Sequence, residues 1–105
     1  MEHIITTANF QKEVLESDMP VLLDFYADWC GPCKMMGPVV EELAKEYDSK
    51  IKVGKINVDD NTEIAQKYRV MSIPMFGFFK NGQLEDSVIG AVPKANLEEK
   101  IKALI

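Results

Sequence analysis

Trp29-Cys30-Gly31-Pro32-Cys33 contains both cysteines of this 105-residue chain, between an apolar strand-like run and a long helical pattern. A thiol at the first turn of a helix lies among backbone N–H groups that have no intrahelical partner, so its thiolate is stabilised and becomes a nucleophile near neutral pH. The second thiol follows about one turn later and faces the same way. The stretch therefore predicts dithiol redox chemistry at the start of a helix.

Three other interpretations of the cysteine pair are weaker. A structural disulfide across so short a loop would constrain the unfolded chain little. A metal site needs about four ligands, and only the distant His3 could join this pair unless a partner chain contributed. Two inert core cysteines would not call for a Gly-Pro pair between them and a tryptophan before them. Redox chemistry is the favoured interpretation.

Composition indicates a globular protein, because 47% of the residues are hydrophobic and 28% are charged. We expect one domain over residues 1–105, large enough to fold without disulfide staples. The net charge of -5 argues against nucleic acid as a partner. No apolar stretch approaches the roughly 20 residues of a membrane span, and the N-terminus does not read as a signal peptide. We therefore expect a cytoplasmic protein without a membrane partner, in a compartment that keeps thiols reduced.

Hydrophobic periodicity divides the chain into strands and helices. The predicted strands are His3–Thr6, Val21–Ala27, Ile51–Val58, Met75–Lys80 and Gln83–Ile89. The first predicted helix runs from Thr7 or Asn9 to about Ser17-Asp18, and the second from the cysteines to about Ser49, with Pro38 inside it. The third is a short helix capped by Asp60 or Asn61. The fourth begins at Pro93 and is expected to bury Leu97, Ile101 and Leu104.

The order of these elements predicts an α/β fold in which βαβαβ is followed by ββα. Val21–Ala27 is almost wholly apolar and is expected to be the central strand, buried on both faces. Alternation of strands and helices implies parallel pairing in the first half, whereas Asn81-Gly82 predicts a hairpin that makes the last two strands antiparallel. The expected architecture is a mixed five-stranded sheet flanked by four helices.

Asp24 is a carboxylic acid inside this apolar central strand. Ionisation there is costly, so its pKa is expected to rise, and an acid poised near neutrality can move protons. A structural acid bonded to Lys55 or to buried water is the alternative, and the residues alone do not separate the two.

The whole chain resembles the thioredoxin family. Trp29-Cys30-Gly31-Pro32-Cys33-Lys34 matches that family's W-C-G-P-C-K, and Asp24-Phe25-Tyr26-Ala27 is similar to its D-F-W-A strand, with Tyr26 replacing the usual Trp. Ser72-Ile73-Pro74 matches the loop whose proline is cis. The remaining matches are Lys55 near the buried acid, Pro38 at the helix kink, Phe79-Lys80-Asn81-Gly82 and Gly90-Ala91. The chain departs from the pattern at Met36-Gly37 and Met75-Phe76-Gly77, where glycine is expected to loosen the helix and to weaken the strand.

The resemblance implies a thioredoxin fold and a protein-disulfide reductase. Cys30, expected to be exposed, is the implied nucleophile that forms a mixed disulfide with substrate, and Cys33 is the implied resolving thiol. Asp24 is implied to exchange a proton with Cys33 through water, with Lys55 as its partner. The implied docking surface for an extended substrate segment is Trp29, Gly31, Pro32, Ile73, Pro74, Gly90, Ala91 and Val92.

The same resemblance implies no cofactor or metal beyond a redox-active Cys30-Cys33 disulfide. The implied partners are disulfide-containing proteins as substrates and thioredoxin reductase as electron donor. That reductase is either a flavoprotein using NADPH or an iron–sulfur enzyme using ferredoxin. The chain itself is expected to be a monomer. A disulfide oxidase or isomerase of the same fold is an alternative, but oxidases typically carry His where Pro32 stands. The second alternative is a docking module in a larger assembly. Intact Cys30, Cys33 and Asp24 nevertheless indicate that catalysis is retained.

Overall fold

The computed structural model of the chain describes residues 2–105, and its element order is the predicted βαβαβ followed by ββα. The strands are β1 (Glu2–Ile4), β2 (Val21–Tyr26), β3 (Lys52–Asn57), β4 (Met75–Lys80) and β5 (Gln83–Ile89). The helices are a single-turn π-helix (Gln11–Leu15), α1 (Gly31–Glu46), α2 (Thr62–Lys67) and α3 (Lys94–Leu104). Element types are confirmed throughout, except that the first helix is a π turn.

The five strands form one mixed sheet in the order β1-β3-β2-β4-β5, with β2 at its centre as predicted. β1, β3 and β2 are parallel, while β4 is antiparallel to both β2 and β5. The hairpin between β4 and β5 turns through Asn81 and Gly82 with φ of 52° and 80°. Asparagine and glycine tolerate these positive φ angles, and such turns match the twist of the strands.

Apolar residues on opposite faces of the sheet build two core layers, because side chains alternate along each strand. One layer packs α1 and α3 on Leu22, Val53, Phe76 and Phe78. The other packs the π-helix and α2 on Leu23, Phe25, Ile56 and Phe79. Leu97, Ile101 and Leu104 of α3 are buried as predicted. No helix within residues 2–105 is long and apolar enough to cross a membrane.

Asn61 directly precedes α2, and Asp60 or Asn61 was expected to cap that helix. The Asn61 side chain makes no capping hydrogen bond to α2. Its Oδ1 accepts hydrogen bonds from the N–H of Thr7 at 2.8 Å and from the Thr7 hydroxyl at 3.2 Å, and its Nδ2 donates to the Asn57 carbonyl at 2.9 Å. Asn61 is therefore a buried tie between the segment after β1 and the loop after β3. The prediction was wrong because partners 54 residues away compete for this amide.

Helix ends also differ from expectation. α1 stops at Glu46 rather than near Ser49, because the N–H groups of Lys50 and Ile51 both donate to the Tyr47 carbonyl and turn the chain toward β3. Pro93 is the N-cap of α3 and lies just before its first helical residue.

Gly77 does not leave β4 poorly packed, contrary to the expectation that it weakens the strand. A Cβ at this position would lie 3.1 Å from Phe79 Cε1, 3.2 Å from Leu84 Cδ1 and 3.4 Å from Phe25 Cε2. Neighbouring side chains therefore fill the space that the absent side chain leaves.

Candidate active site

The two cysteines lie beyond the carboxyl end of β2, where the chain enters α1. They are joined in a disulfide and form a small apolar cluster with Ala27, against which Val58 and Ile73 pack. Cys30 is the N-cap of α1, and its Sγ accepts a hydrogen bond from the Cys33 N–H at 3.2 Å. A sulfur at the N-cap lies close to the partial positive charges of the backbone N–H groups in the first helical turn. A thiolate formed there is therefore stabilised.

Cys30 is buried, and the expectation that it is exposed was wrong. Its exposed fraction is 3% and that of Cys33 is 6%, whereas Trp29 is 70% exposed. The cause is tertiary: the loop before β4 brings the Ile73 carbonyl to 3.9 Å from Cys30 Sγ. Little of the disulfide is therefore accessible, and the side chain next to it that is widely exposed is the Trp29 indole.

Asp24 is buried in β2, and its Oδ1 accepts no hydrogen bond from the described part of the chain. Burial raises the pKa of Asp24 from 3.8 to about 7; the negative charge of Glu2 adds to the rise and the positive charge of Lys55 opposes it. The predicted direction is confirmed. An acid with this pKa both holds and releases a proton at neutral pH.

A cavity of about 200 Å³ connects Asp24 with Cys33. Its other lining residues are Glu2, Tyr26, Ala27, Asp28, Lys34, Gly37 and Lys55. One water molecule occupies about 30 Å³ of liquid, so the cavity has room for several waters beside the charged side chains of its lining. The cavity thus leaves room for water between the acid and the inner cysteine.

Lys55 faces Asp24 on the neighbouring strand, but within residues 2–105 its ion pair is with Glu2, at 3.9 Å. Its ammonium also lies 5.6 Å from the centre of the Tyr26 ring. The implied partnership of Lys55 with Asp24 is therefore a charge interaction across the cavity and not a direct ion pair.

The Ile73-Pro74 peptide is cis, as the resemblance implied. The Gly90 N–H donates to the Pro74 carbonyl at 2.8 Å, which joins the end of β5 to this loop. Gly90 has a φ of +95°, a conformation that L side chains rarely adopt.

The implied docking residues differ in accessibility. Trp29, Gly31, Pro32 and Ala91 are exposed, Ile73, Gly90 and Val92 are half-buried, and Pro74 is buried. Pro74 therefore shapes the loop more than it offers a side chain. The structure brings Ile73 against the cysteines, while Val92 packs on the core beneath α1 and α3.

Two site residues were missed by sequence reasoning. Asp59 accepts a hydrogen bond from Trp29 Nε1 at 2.8 Å and so holds the indole beside the cysteines. Glu2 lines the Asp24 cavity from the edge strand. Asp59 could have been found from its place after β3, because ligand sites gather at the carboxyl ends of parallel strands; nothing in the sequence singles out Glu2. Among residues 2–105, no group of three or more His, Cys, Asp or Glu side chains is placed to hold a metal ion.

Comparison with known proteins agrees with this site. The thioredoxin family model matches residues 2–103. The chain is 54% identical to the thioredoxin of Porphyra purpurea over 101 residues, which cover 96% of this chain and 94% of that one. It is 48% identical to the thioredoxin of Rickettsia felis over the full length of both chains, and 51% identical to the chloroplastic M-type thioredoxin of Pisum sativum, covering 97% of this chain and 59% of that one.

The chain belongs to the thioredoxin family. Its Cys30-Cys33 disulfide is the redox centre, and the activity is dithiol–disulfide exchange of the protein-disulfide reductase type.

Proposed function

We propose that this chain is a one-domain cytoplasmic electron carrier, in which Cys30 attacks substrate disulfides, Cys33 resolves the intermediate and Asp24 moves the proton. The observation that carries the proposal is the cavity of about 200 Å³ lined by both Cys33 and the buried acid Asp24, whose Oδ1 accepts no hydrogen bond within residues 2–105. The proposed role in cell redox homeostasis follows from repeated reduction of protein disulfides.

The proposed cycle starts from the dithiol form. The Cys30 thiolate attacks one sulfur of a substrate disulfide; that S–S bond breaks, the other sulfur leaves as a thiolate, and a mixed disulfide forms. Cys33 then gives its proton through cavity water to the Asp24 carboxylate and attacks Cys30 Sγ. The second substrate sulfur leaves. Two electrons have passed to the substrate, and Cys30 and Cys33 are oxidised to the disulfide seen here.

Substrate is proposed to dock as an extended segment on the surface named above, beside the cis Ile73-Pro74 peptide. Support comes from the proximity of the Ile73 carbonyl to Cys30 Sγ and from the exposed Trp29 held by Asp59. An exposed aromatic ring next to a reactive sulfur offers apolar area to a binding segment.

The proposed partners are disulfide-containing proteins and a thioredoxin reductase that restores the dithiol. The proposed form is a monomer with no cofactor beyond the Cys30-Cys33 pair, and no nucleic-acid or membrane partner. The acidic balance of the chain supports the exclusion of nucleic acid.

Direction of electron flow is the property that separates this function from that of an oxidase or isomerase. Pro32 precedes Cys33, where a histidine would stabilise the thiolate and make the disulfide more oxidising. The test is equilibration with glutathione redox buffers, with Pro32→His as the matched variant.

We expect the reduction potential of wild type to lie far on the reducing side of glutathione, and wild type to catalyse insulin reduction by dithiothreitol. The potential of the variant is expected to be more oxidising. A wild-type potential near that of periplasmic oxidants would contradict the proposal, and binding of substrates without turnover would favour a docking module.

A further inference from the structure

The Asp24 cavity contains a charged group that the exchange mechanism does not use. Glu2 lines this cavity from β1, with its side chain only 17% exposed, and it is paired with Lys55 at 3.9 Å. Burial raises the pKa of Glu2, and the neighbouring charge of Glu41 raises it further, while Lys55 lowers it. A half-buried acid at the start of an edge strand has no evident role in packing.

Lys55 stands between two acids. On one side it faces Asp24 of β2 in the strand register, and on the other it pairs with Glu2 of β1. A buried carboxylate oxygen without a partner is costly, and an ammonium swung toward Asp24 would relieve that cost. Lys55 instead lies between Glu2 and the face of the Tyr26 ring. Glu2 therefore competes with Asp24 for the Lys55 ammonium.

The Glu2-Lys55 pair also forms a boundary. Both residues line the inner cavity with Asp24 and Cys33, and both line a second cavity of about 270 Å³ with Ile4, Glu41 and Lys45. Glu41 and Lys45 are well exposed and pair with each other at 3.7 Å. The pair thus lies in the wall that the two cavities share.

We propose that Glu2 is a positioning residue for the proton-transfer step: by holding Lys55 in the wall shared by the two cavities, it keeps Asp24 free to exchange a proton with Cys33. This inference rests on the proposed role of Asp24. The titratable and charged side chains around Asp24 are Glu2 from β1, Lys55 from β3, Tyr26 and Asp28 at and after the end of β2, and Cys33 and Lys34 from α1.

The experiment compares wild type, Glu2→Gln, Lys55→Gln and the double variant, with Glu41→Gln as the matched control acid. The readouts are the titration of the Asp24 carboxyl carbon by NMR and the pH profile of single-turnover disulfide reduction. In Glu2→Gln, Lys55 is free to turn to Asp24, so the Asp24 midpoint is expected to fall by at least ~0.5 pH unit. In the Lys55→Gln background the same change is expected to move the midpoint much less. Glu41→Gln is expected to leave it within ~0.2 pH unit, because an exposed charge is screened.

An unchanged Asp24 midpoint in Glu2→Gln overturns the inference. An equal shift in the presence and absence of Lys55 also overturns it, since Glu2 would then act by its own charge alone. An equally large shift of the Asp24 midpoint in Glu41→Gln also overturns the inference, since the effect would then come from the charge of any nearby acid and not from the contact of Glu2 with Lys55. If Glu2→Gln moves the Asp24 midpoint through Lys55 while the rate profile stays fixed, the placement of Lys55 by Glu2 stands and the proton-transfer role of Asp24 fails.

Discussion

Cys33 and Asp24 line one cavity, the cysteine from the first turn of α1 and the acid from the middle of the central strand β2. Cys33 follows Asp24 by nine positions in the sequence, and the turn of the chain into α1 brings the cysteine to the cavity that Asp24 lines. The Asp24 Oδ1 has no hydrogen-bond partner in the described part of the chain, and burial raises the pKa of the acid to about 7. A buried titratable acid therefore shares a cavity with the redox centre.

Substitution of each cysteine by serine is expected to separate the two roles. Cys30 caps α1 and lies against the Ile73 carbonyl, where substrate is proposed to dock, whereas Cys33 faces the Asp24 cavity. Cys33→Ser is expected to accumulate mixed disulfides with a substrate protein, and Cys30→Ser almost none, as measured on non-reducing gels. Equal trapping by both variants would show that the assigned order of attack is wrong.

Asp24→Asn is expected to stabilise the fold at alkaline pH. Because the folded-state pKa is about 7 and the unfolded value is near 3.8, the native state holds a proton that the unfolded state has lost between these limits. Wild-type stability therefore falls as pH rises from about 4 to 7. The variant is expected to gain about 1 to 4 kcal/mol at pH 8 and much less at pH 4. Denaturant melts at both pH values measure this, and a variant less stable than wild type at pH 8 would identify Asp24 as a satisfied structural anion.

The same substitution is expected to slow disulfide exchange. Asparagine keeps the shape of the side chain but cannot accept the Cys33 proton, so the single-turnover rate at pH 7 is expected to fall by about tenfold or more. Asp28→Asn is the control, because Asp28 lines the same cavity but is exposed. A rate unaffected by Asp24→Asn removes that acid from the mechanism.

Gly77→Ala is expected to destabilise the protein by about 1 kcal/mol, because the new methyl group meets the buried rings of Phe79 and Phe25 at 3.1 to 3.4 Å. Gly37→Ala in α1 is the matched control. A Cβ there meets nothing within 4 Å, and alanine in a helix is expected to add about 0.5 kcal/mol. Thermal melts of both variants measure the two effects. Stabilisation by Gly77→Ala would contradict the prediction and show that the Phe79 and Phe25 rings move to accommodate the methyl group.

Asn61→Ala is expected to cost about 2 to 3 kcal/mol, because it leaves the Thr7 N–H and the Asn57 carbonyl without their bonds. Asp60→Ala at the exposed neighbouring position is the control and is expected to change stability by less than about 0.5 kcal/mol. Urea melts of the two variants measure the difference. Equal small effects would mean that water replaces Asn61 at no cost.

Local patterns were enough to predict most of the fold. The apolar run Val21–Ala27 is typical of a buried strand, and Asn81-Gly82 is the strongest short signal for a tight hairpin; both signals depend on neighbours along the chain. The cysteine stretch likewise predicted a redox centre at a helix start. The π turn at Gln11–Leu15 could not be predicted, because α and π turns bury the same apolar residues.

The order of helices and strands along the chain, the cysteine pair and the direction of the Asp24 pKa shift could be predicted, because each depends on residue type or on near neighbours. The burial of Cys30, the pairing of Lys55 with Glu2, the bond from Trp29 to Asp59 and the hydrogen bonds of Asn61 could not be predicted before the chain was folded. A charged or polar side chain pairs with whichever partner the fold brings near. In this protein, three of those partners lie 30 or more residues away along the chain.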